Sequence, residues 1–194
     1  YLGLSEWQRA ISDFTTYVEL RPGLIDSYAY ERIGDAYLAL GQPEHSLDAY
    51  AKAAEATREV TSLVALRERL AASYLNAGQP GQAVAQYDAI LNDARNNPYR
   101  ASIMFQAAQV QINNGNTNGG YARLQQIVSE YPDTYPAYQA MGILLEAGLP
   151  VDTYERAVIS FNNEDYNSAI QLFNEHTSQS GTAPPELLMM LGQS

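Results

Sequence analysis

The sequence contains no cysteine and only one lysine, Lys52. The lack of cysteine excludes disulfide bonds, cysteine-ligated zinc sites and a cysteine nucleophile. Basic residues are also few, because 22 acidic residues face 11 basic ones and the net charge is −11. A protein of that charge repels phosphate groups, so we expect neither a nucleic acid nor an anionic membrane surface as partner.

Long hydrophobic runs are absent as well. No apolar stretch approaches the roughly 18–20 residues that a membrane-spanning helix needs. We therefore expect no membrane insertion. No signal peptide is visible, and the chain begins at Tyr1 rather than at a methionine.

What the sequence does contain is a repeated phrase. The stretch AYLALGQPEHSLDAYAKA (residues 36–53) has a close copy, SYLNAGQPGQAVAQYDAI, at residues 73–90. The turn glycines Gly41, Gly78 and Gly115 recur every 37 residues. Apolar residues at intervals of three and four lie before and after each glycine, which predicts a pair of amphipathic helices in each copy. Glycine ends the first helix, and after Gly41 and Gly78 the proline two residues later, Pro43 or Pro80, starts the second.

This pattern resembles the tetratricopeptide repeat (TPR). The match is carried in the central copy by Tyr30, Ile33, Gly34, Tyr37, Gly41, Ser46, Tyr50 and Ala53. An earlier copy retains Trp7, Ala10, Phe14, Tyr17 and Pro22, and a later one Tyr166, Ala169 and Phe173. The period exceeds the family's value of about 34 residues. The resemblance implies an all-α fold, with antiparallel helix pairs stacked in an α-solenoid.

Tyrosines are unusually frequent, and most fall at repeat positions. We expect Tyr37, Tyr50, Tyr74 and Tyr87 to fill the gaps between helices, with Tyr37 and Tyr74 largely buried. Three others, Tyr28, Tyr135 and Tyr138, fall outside these positions, and we expect them to be exposed.

The repeat phase shifts near Gly148. The helix before this glycine lacks a second helix of its own, and a new helix pair follows. We therefore divide the chain into TPR-like repeats at 1–148, with a partial first copy, and a phase-shifted repeat at 149–194 that ends in a truncated first helix. Both ends fall inside a repeat, so we expect a segment of a larger bacterial protein. Its cut ends are expected to be frayed or self-associated through apolar residues, namely Tyr1, Leu2, Leu4, Leu187, Leu188 and Leu191.

In the TPR family the first helices line a concave binding groove. Carried over to this sequence, the candidate binding surface comprises Tyr28, Glu31, Asp35, Glu68, Leu75, Asn76, Phe105, Gln109 and Asn113. Acidic residues stand where some TPR modules place Lys, Arg and Asn to grip a terminal carboxylate, so that clamp is absent. The resemblance and this lining favour an extended polypeptide, polar or basic in character, or an attached domain as the partner.

Catalytic chemistry has little support. The two histidines, His45 and His176, lie far apart, and no HExxH, Walker A, GxSxG or GxGxxG motif occurs. The stretch 114–125 has calcium-loop spacing but no carboxylate at any ligand position, so a hard dication would bind weakly. We expect no catalytic, metal or cofactor site in this segment.

A second, weaker resemblance concerns residues 129–173. This stretch is similar to the helical segments that precede the catalytic domain in bacterial soluble lytic transglycosylases. It implies an alternative function, the helical arm of a peptidoglycan-cleaving enzyme whose catalytic domain lies outside this chain, in the extracytoplasmic cell envelope. The primary interpretation is a non-catalytic scaffold that mediates protein–protein interaction or positions an attached domain.

Overall fold

The computed structural model describes residues 6–182, 184–185 and 187. These residues form ten α-helices and no β-strand, which confirms the all-α helical-repeat prediction. In chain order the helices are α1 (Trp7–Leu20), α2 (Asp26–Ala39), α3 (Pro43–Glu55), α4 (Val60–Asn76), α5 (Pro80–Asp93), α6 (Asn97–Asn113), α7 (Thr117–Glu130), α8 (Tyr135–Glu146), α9 (Thr153–Asn162) and α10 (Tyr166–Ser180).

The predicted turns are confirmed at each glycine of the phrase. Gly41, Gly78 and Gly115 have φ values of 70°, 69° and 83°, in the left-handed region that side chains with a Cβ disfavour. Their amides donate to carbonyls of the preceding helix, as that of Gly41 does to Leu38 at 3.0 Å. Pro43 begins the next helix, where a missing amide hydrogen costs nothing.

The chain divides into two compact units, one ending at Ala94 and one beginning at Arg95. In unit 1, consecutive helices from α1 to α5 pack on one another, and the closest pairs are α2–α3 and α4–α5. Gly34 permits the close approach of α2 to α3, because a Cβ there would lie 2.7 Å from ring atoms of Tyr50. We call the leading members of these pairs, α2 and α4, first helices.

In unit 2, the pairs are α6–α7 and α9–α10, with α6 and α9 as first helices. Helix α8 packs on α7 and also touches α6, whereas α9 packs chiefly on α10. Within the described residues α8 therefore has no second helix of its own, in keeping with the shift of phase after Gly148. The division at residues 1–148 and 149–194 stays a prediction about repeat phase.

Two buried tyrosines, Tyr50 and Tyr87, lie on second helices. Tyr50 and Tyr87 are 1% and 5% exposed. Tyr37 and Tyr74 are half-buried, so the predicted burial of these two residues is partial. Each borders an open cavity: Tyr37 beside α1 and α3, and Tyr74 beside α3 and α5.

At the C-terminal end, Leu187 is 3% exposed and packs with Ala157, Ala169, Leu172 and Phe173 of its own unit. The expectation of a frayed or intermolecularly packed edge is therefore wrong for Leu187. The other residues named for that expectation, Tyr1, Leu2, Leu4, Leu188 and Leu191, lie outside the described residues.

Among the described helices, none combines the length and the apolar character that a membrane crossing demands.

Candidate functional site

The predicted surface residues of unit 1 centre on Glu31, a buried carboxylate on α2. Glu31 is 5% exposed. Arg58, in the connector before α4, donates to it at 2.5 Å, and Arg69 of α4 donates to its other oxygen at 2.5 Å. The guanidinium of Arg58 also lies over the ring of Tyr28, 4.2 Å from the centroid.

Asp35, one helical turn beyond Glu31, is held by the same group of side chains. It accepts a hydrogen bond from the Tyr50 hydroxyl at 2.6 Å, and Arg69 and Arg32 also donate to it. Arg69 donates to the Tyr50 oxygen at 3.0 Å. Burial and the hydrogen bond to Asp35 raise the pKa of the Tyr50 hydroxyl to about 12. Tyr50 therefore stays neutral throughout the physiological range.

This arrangement changes the character of the predicted surface in unit 1. Two carboxylates face three guanidinium groups, so Glu31 and Asp35 are already neutralised from within the chain. Burial excludes Glu31 from contact with a ligand, and Asp35 would have to exchange an arginine for one.

Sequence reasoning missed Arg58 and Arg69 as partners of these carboxylates. A signal was present: a glutamate followed 27 residues later by an arginine occurs twice, as Glu31–Arg58 and Glu68–Arg95.

The remaining residues of the predicted binding surface in unit 1 differ in exposure. Tyr28, Leu75 and Asn76 are exposed, which confirms the prediction for Tyr28. Glu68 is half-buried, and its charge contributes, after burial, to raising the pKa of Tyr87.

In unit 2, the predicted residues Phe105, Gln109 and Asn113 recur every four positions on one side of α6. Gln109 and Asn113 are exposed. Phe105 is 8% exposed and forms part of the wall of a cavity of about 530 Å³ between α6 and α8. The full lining comprises Pro98, Ser102, Phe105, Gln106, Asp133, Thr134, Tyr135, Pro136 and Gln139.

One wall of this cavity includes Asp133, Thr134 and Tyr135, which belong to a segment, 131–135, that several hydrogen bonds hold in place. The Thr134 hydroxyl donates to the Tyr131 carbonyl at 2.8 Å and caps α8 by accepting from the amide of Ala137. The Asn162 amide donates to the Pro132 carbonyl at 3.2 Å, and Arg100 donates to the Tyr131 hydroxyl at 3.0 Å. Side chains of α6 and α9, together with the Thr134 cap, therefore fix this segment.

Tyr135 projects from the braced segment. It is 64% exposed, and its ring stacks on that of Tyr138 with centroids 6.4 Å apart. Tyr138 is half-buried, so the expectation that it is exposed is wrong, and its hydroxyl donates a hydrogen bond to Asp165 at 3.2 Å. A large aromatic side chain is thus presented to solvent on a preorganised support, as expected for Tyr135 from the sequence.

Neither histidine meets a group of potential metal ligands. His45 packs against Tyr37 and His176 against Tyr154, each with ring centroids 5.2 Å apart. In the part of the chain that the structure describes, no three His, Asp or Glu side chains are placed to hold a metal ion.

Two segments of the chain match family models described as tetratricopeptide repeat, residues 27–59 and residues 103–134. The first spans α2 and α3, and the second spans most of α6, all of α7 and the segment up to Thr134. The chain contains tetratricopeptide repeats. These TPR segments make it a protein–protein interaction module, and they contain six of the nine predicted surface residues: Tyr28, Glu31, Asp35, Phe105, Gln109 and Asn113.

Several solved structures resemble the chain at low identity. YrrB, described as a TPR protein with an unusual peptide-binding site, is 16% identical, with 98% of this chain and 85% of that chain covered and a TM-score of 0.46. A TPR protein from Parabacteroides merdae is 15% identical, with 97% and 68% covered and a TM-score of 0.48. MamA is 14% identical, with 90% and 92% covered and a TM-score of 0.48. No curated protein matches the chain.

Proposed function

We propose that this TPR protein is a non-catalytic module that binds an extended polypeptide in the cavity between α6 and α8. The observation that carries the proposal is the combination of a 530 Å³ cavity with Tyr135, exposed on a segment that side chains of α6 and α9 and the Thr134 cap hold in place. A preformed cavity with an aromatic wall is typical of sites that anchor one side chain of a peptide.

The lining indicates what the anchor residue looks like. Pro98, Phe105, Tyr135 and Pro136 supply apolar surface, which suits an apolar or aromatic side chain. Gln106 and Gln139 can donate to and accept from a peptide backbone. Asp133 is the one charged side chain among the described lining residues, and it favours a basic residue next to the anchor.

Within unit 1, the accessible part of the predicted surface, Tyr28, Leu75 and Asn76, stays a separate prediction. Glu31 and Asp35 have a structural role in this proposal, because their charges are satisfied by arginines of the same chain. A basic residue of the ligand would therefore contact Asp133 and not Glu31.

The proposal is tested by panning a random peptide library on the whole chain and measuring the affinity of the selected peptides. Tyr135→Ser should weaken their binding by about tenfold or more, as loss of a central aromatic contact does. The control is Tyr166→Ser, which removes a tyrosine of comparable exposure, 51%, from α10. If no peptide is selected, or if both variants bind as the parent chain does, the proposal is wrong.

The wider setting, a scaffold that positions an attached domain in a larger bacterial protein, stays a prediction.

The lytic transglycosylase alternative receives no support from the family matches. Purified chain incubated with peptidoglycan should release no muropeptides. Turnover that is abolished by substituting one of the chain's own Asp or Glu residues would contradict this.

A further inference from the structure

Unit 1 contains a second cavity, of about 380 Å³, that includes none of the predicted surface residues. It lies on the side of α2 that carries Tyr30, Ile33 and Tyr37, whereas Glu31 and Asp35 point from the opposite side of the same helix. The other lining residues come from α1 and α3: Thr15, Val18, Glu19, His45, Asp48, Ala49 and Lys52. This cavity is therefore separate from the predicted binding surface.

The cavity is amphipathic from floor to rim. Its floor is formed by Val18, Ile33 and Ala49, all buried. Half-buried Tyr30 and Tyr37 form walls. Two exposed carboxylates, Glu19 and Asp48, stand at the rim.

One end of the cavity already holds a cation. The Lys52 ammonium lies 5.7 Å from the centroid of the Tyr30 ring, within the range of cation–π attraction. Two turns further along α2, Tyr37 has its ring beside that of His45. With two carboxylates against one ammonium, the titratable groups of the lining carry a negative balance when His45 is neutral.

We propose that this cavity binds a lysine or arginine side chain of a partner polypeptide. The aliphatic stem of such a side chain matches the floor of Val18, Ile33 and Ala49, because long cationic side chains bury their methylene groups and keep the charged head near water. The head would then lie between the Tyr37 ring and the carboxylates of Glu19 and Asp48. An apolar side chain would fill the floor but leave the carboxylates without a partner.

The test titrates the whole chain with the peptide Ac-Gly-Lys-Gly-NH2 and with its neutral counterpart, in which norleucine replaces lysine. Methyl resonances of Val18 and Ile33 report occupancy. We expect saturable shifts with the lysine peptide and an affinity about fivefold or more lower for the norleucine peptide. Unmoved methyl resonances, or equal affinity for the two peptides, would overturn the proposal.

Two double variants separate this site from bulk attraction to an acidic protein. Glu19→Gln with Asp48→Asn should weaken lysine-peptide binding about fivefold or more. Asp13→Asn with Glu146→Gln removes the same charge from exposed positions outside the cavity and should leave binding unchanged. Equal loss in both variants would show bulk attraction only. Tyr135→Ser should have no effect here, so this result is independent of the α6–α8 site.

Discussion

At the scale of single residues, Glu31 has the most consequential environment in the chain. It is a carboxylate with almost no access to water, and two arginines from outside its own helix reach it. A buried ion pair contributes little net stability when whole, but removal of one member leaves the other charged and desolvated. Arg58 would be the group left behind, since only 8% of its side chain is exposed.

Glu31→Gln should therefore destabilise the protein by about 3 kcal/mol in urea unfolding followed by circular dichroism. Asp13→Asn, an exposed acid-to-amide change on α1, is the control and should lie within about 0.5 kcal/mol of the parent chain. Equal stability of the two variants would mean that the arginines do not depend on Glu31.

Glu59 gives a stability effect that depends on pH. Its carboxylate caps α4 by accepting from the amides of Thr61 and Ser62, each at 2.9 Å, and these bonds lower its pKa from 4.5 to about 2. The carboxylate form is favoured in the folded state, so this contribution is fully present above pH 4.5 and is lost as the pH falls towards 2.

Glu59→Gln removes that charge and should lower the Tm of the protein above pH 4.5. The difference in Tm between variant and parent chain should shrink steadily as the pH is lowered and disappear near pH 2. A difference that is the same at pH 7 and pH 2 would contradict the assignment of the cap.

At the scale of elements, two glycines inside helices, Gly34 and Gly142, should respond in opposite ways to substitution by alanine. Gly34 of α2 faces Tyr50, and an added Cβ would lie 2.7 Å from the ring. Gly34→Ala should therefore destabilise by about 1–3 kcal/mol through overpacking. Gly142 of α8 has open space at the same position, so Gly142→Ala should stabilise by about 0.5–1 kcal/mol. Thermal unfolding of both variants checks the pair, and the same sign for both would contradict the packing of α2 on α3.

The turn between α9 and α10 places Glu164 where the other repeats have glycine. Its φ is 64°, and it is the one non-glycine residue with positive φ among those the structure describes. Glu164→Gly should stabilise by roughly 1 kcal/mol, because a Cβ is costly in that conformation. The matched change Glu175→Gly, in the interior of α10, should destabilise by about the same amount. Calorimetric Tm values that move in the same direction for both would show that the turn is not strained.

At the scale of the whole molecule, the sequence predicts those features that the backbone preferences of individual residues determine. Gly41 and Pro43 end one helix and begin the next through their own backbone preferences, so the repeat register was readable directly. The sequence predicts that Glu31 faces a ligand, whereas in the structure it pairs with Arg58 and Arg69. The sequence does not reveal this pairing, because only the packing of α4 on the preceding helix pair brings the two arginines to Glu31.

The candidate site in unit 2 also combines a feature that the sequence predicts with one that depends on packing between distant residues. The exposure of Tyr135 was predicted, since the residue falls outside the repeat core positions. The cavity beside Tyr135 was not predicted. Its walls come from α6 and from the N-terminal end of α8, and a hydrogen bond from Asn162 holds the segment before α8. Contacts between residues distant in the chain set this geometry, and they leave no periodic trace in the sequence.

Binding of a peptide in the α6–α8 cavity is tested most directly by photocrosslinking a library-selected peptide to chain carrying p-benzoylphenylalanine at a single position. At Gln139, which lines the α6–α8 cavity, we expect an efficient crosslink that excess unlabelled peptide removes. At Gln125, exposed on α7 and outside that lining, we expect only background crosslinking. Crosslinking at Gln125 that equals or exceeds that at Gln139 would contradict binding in this cavity.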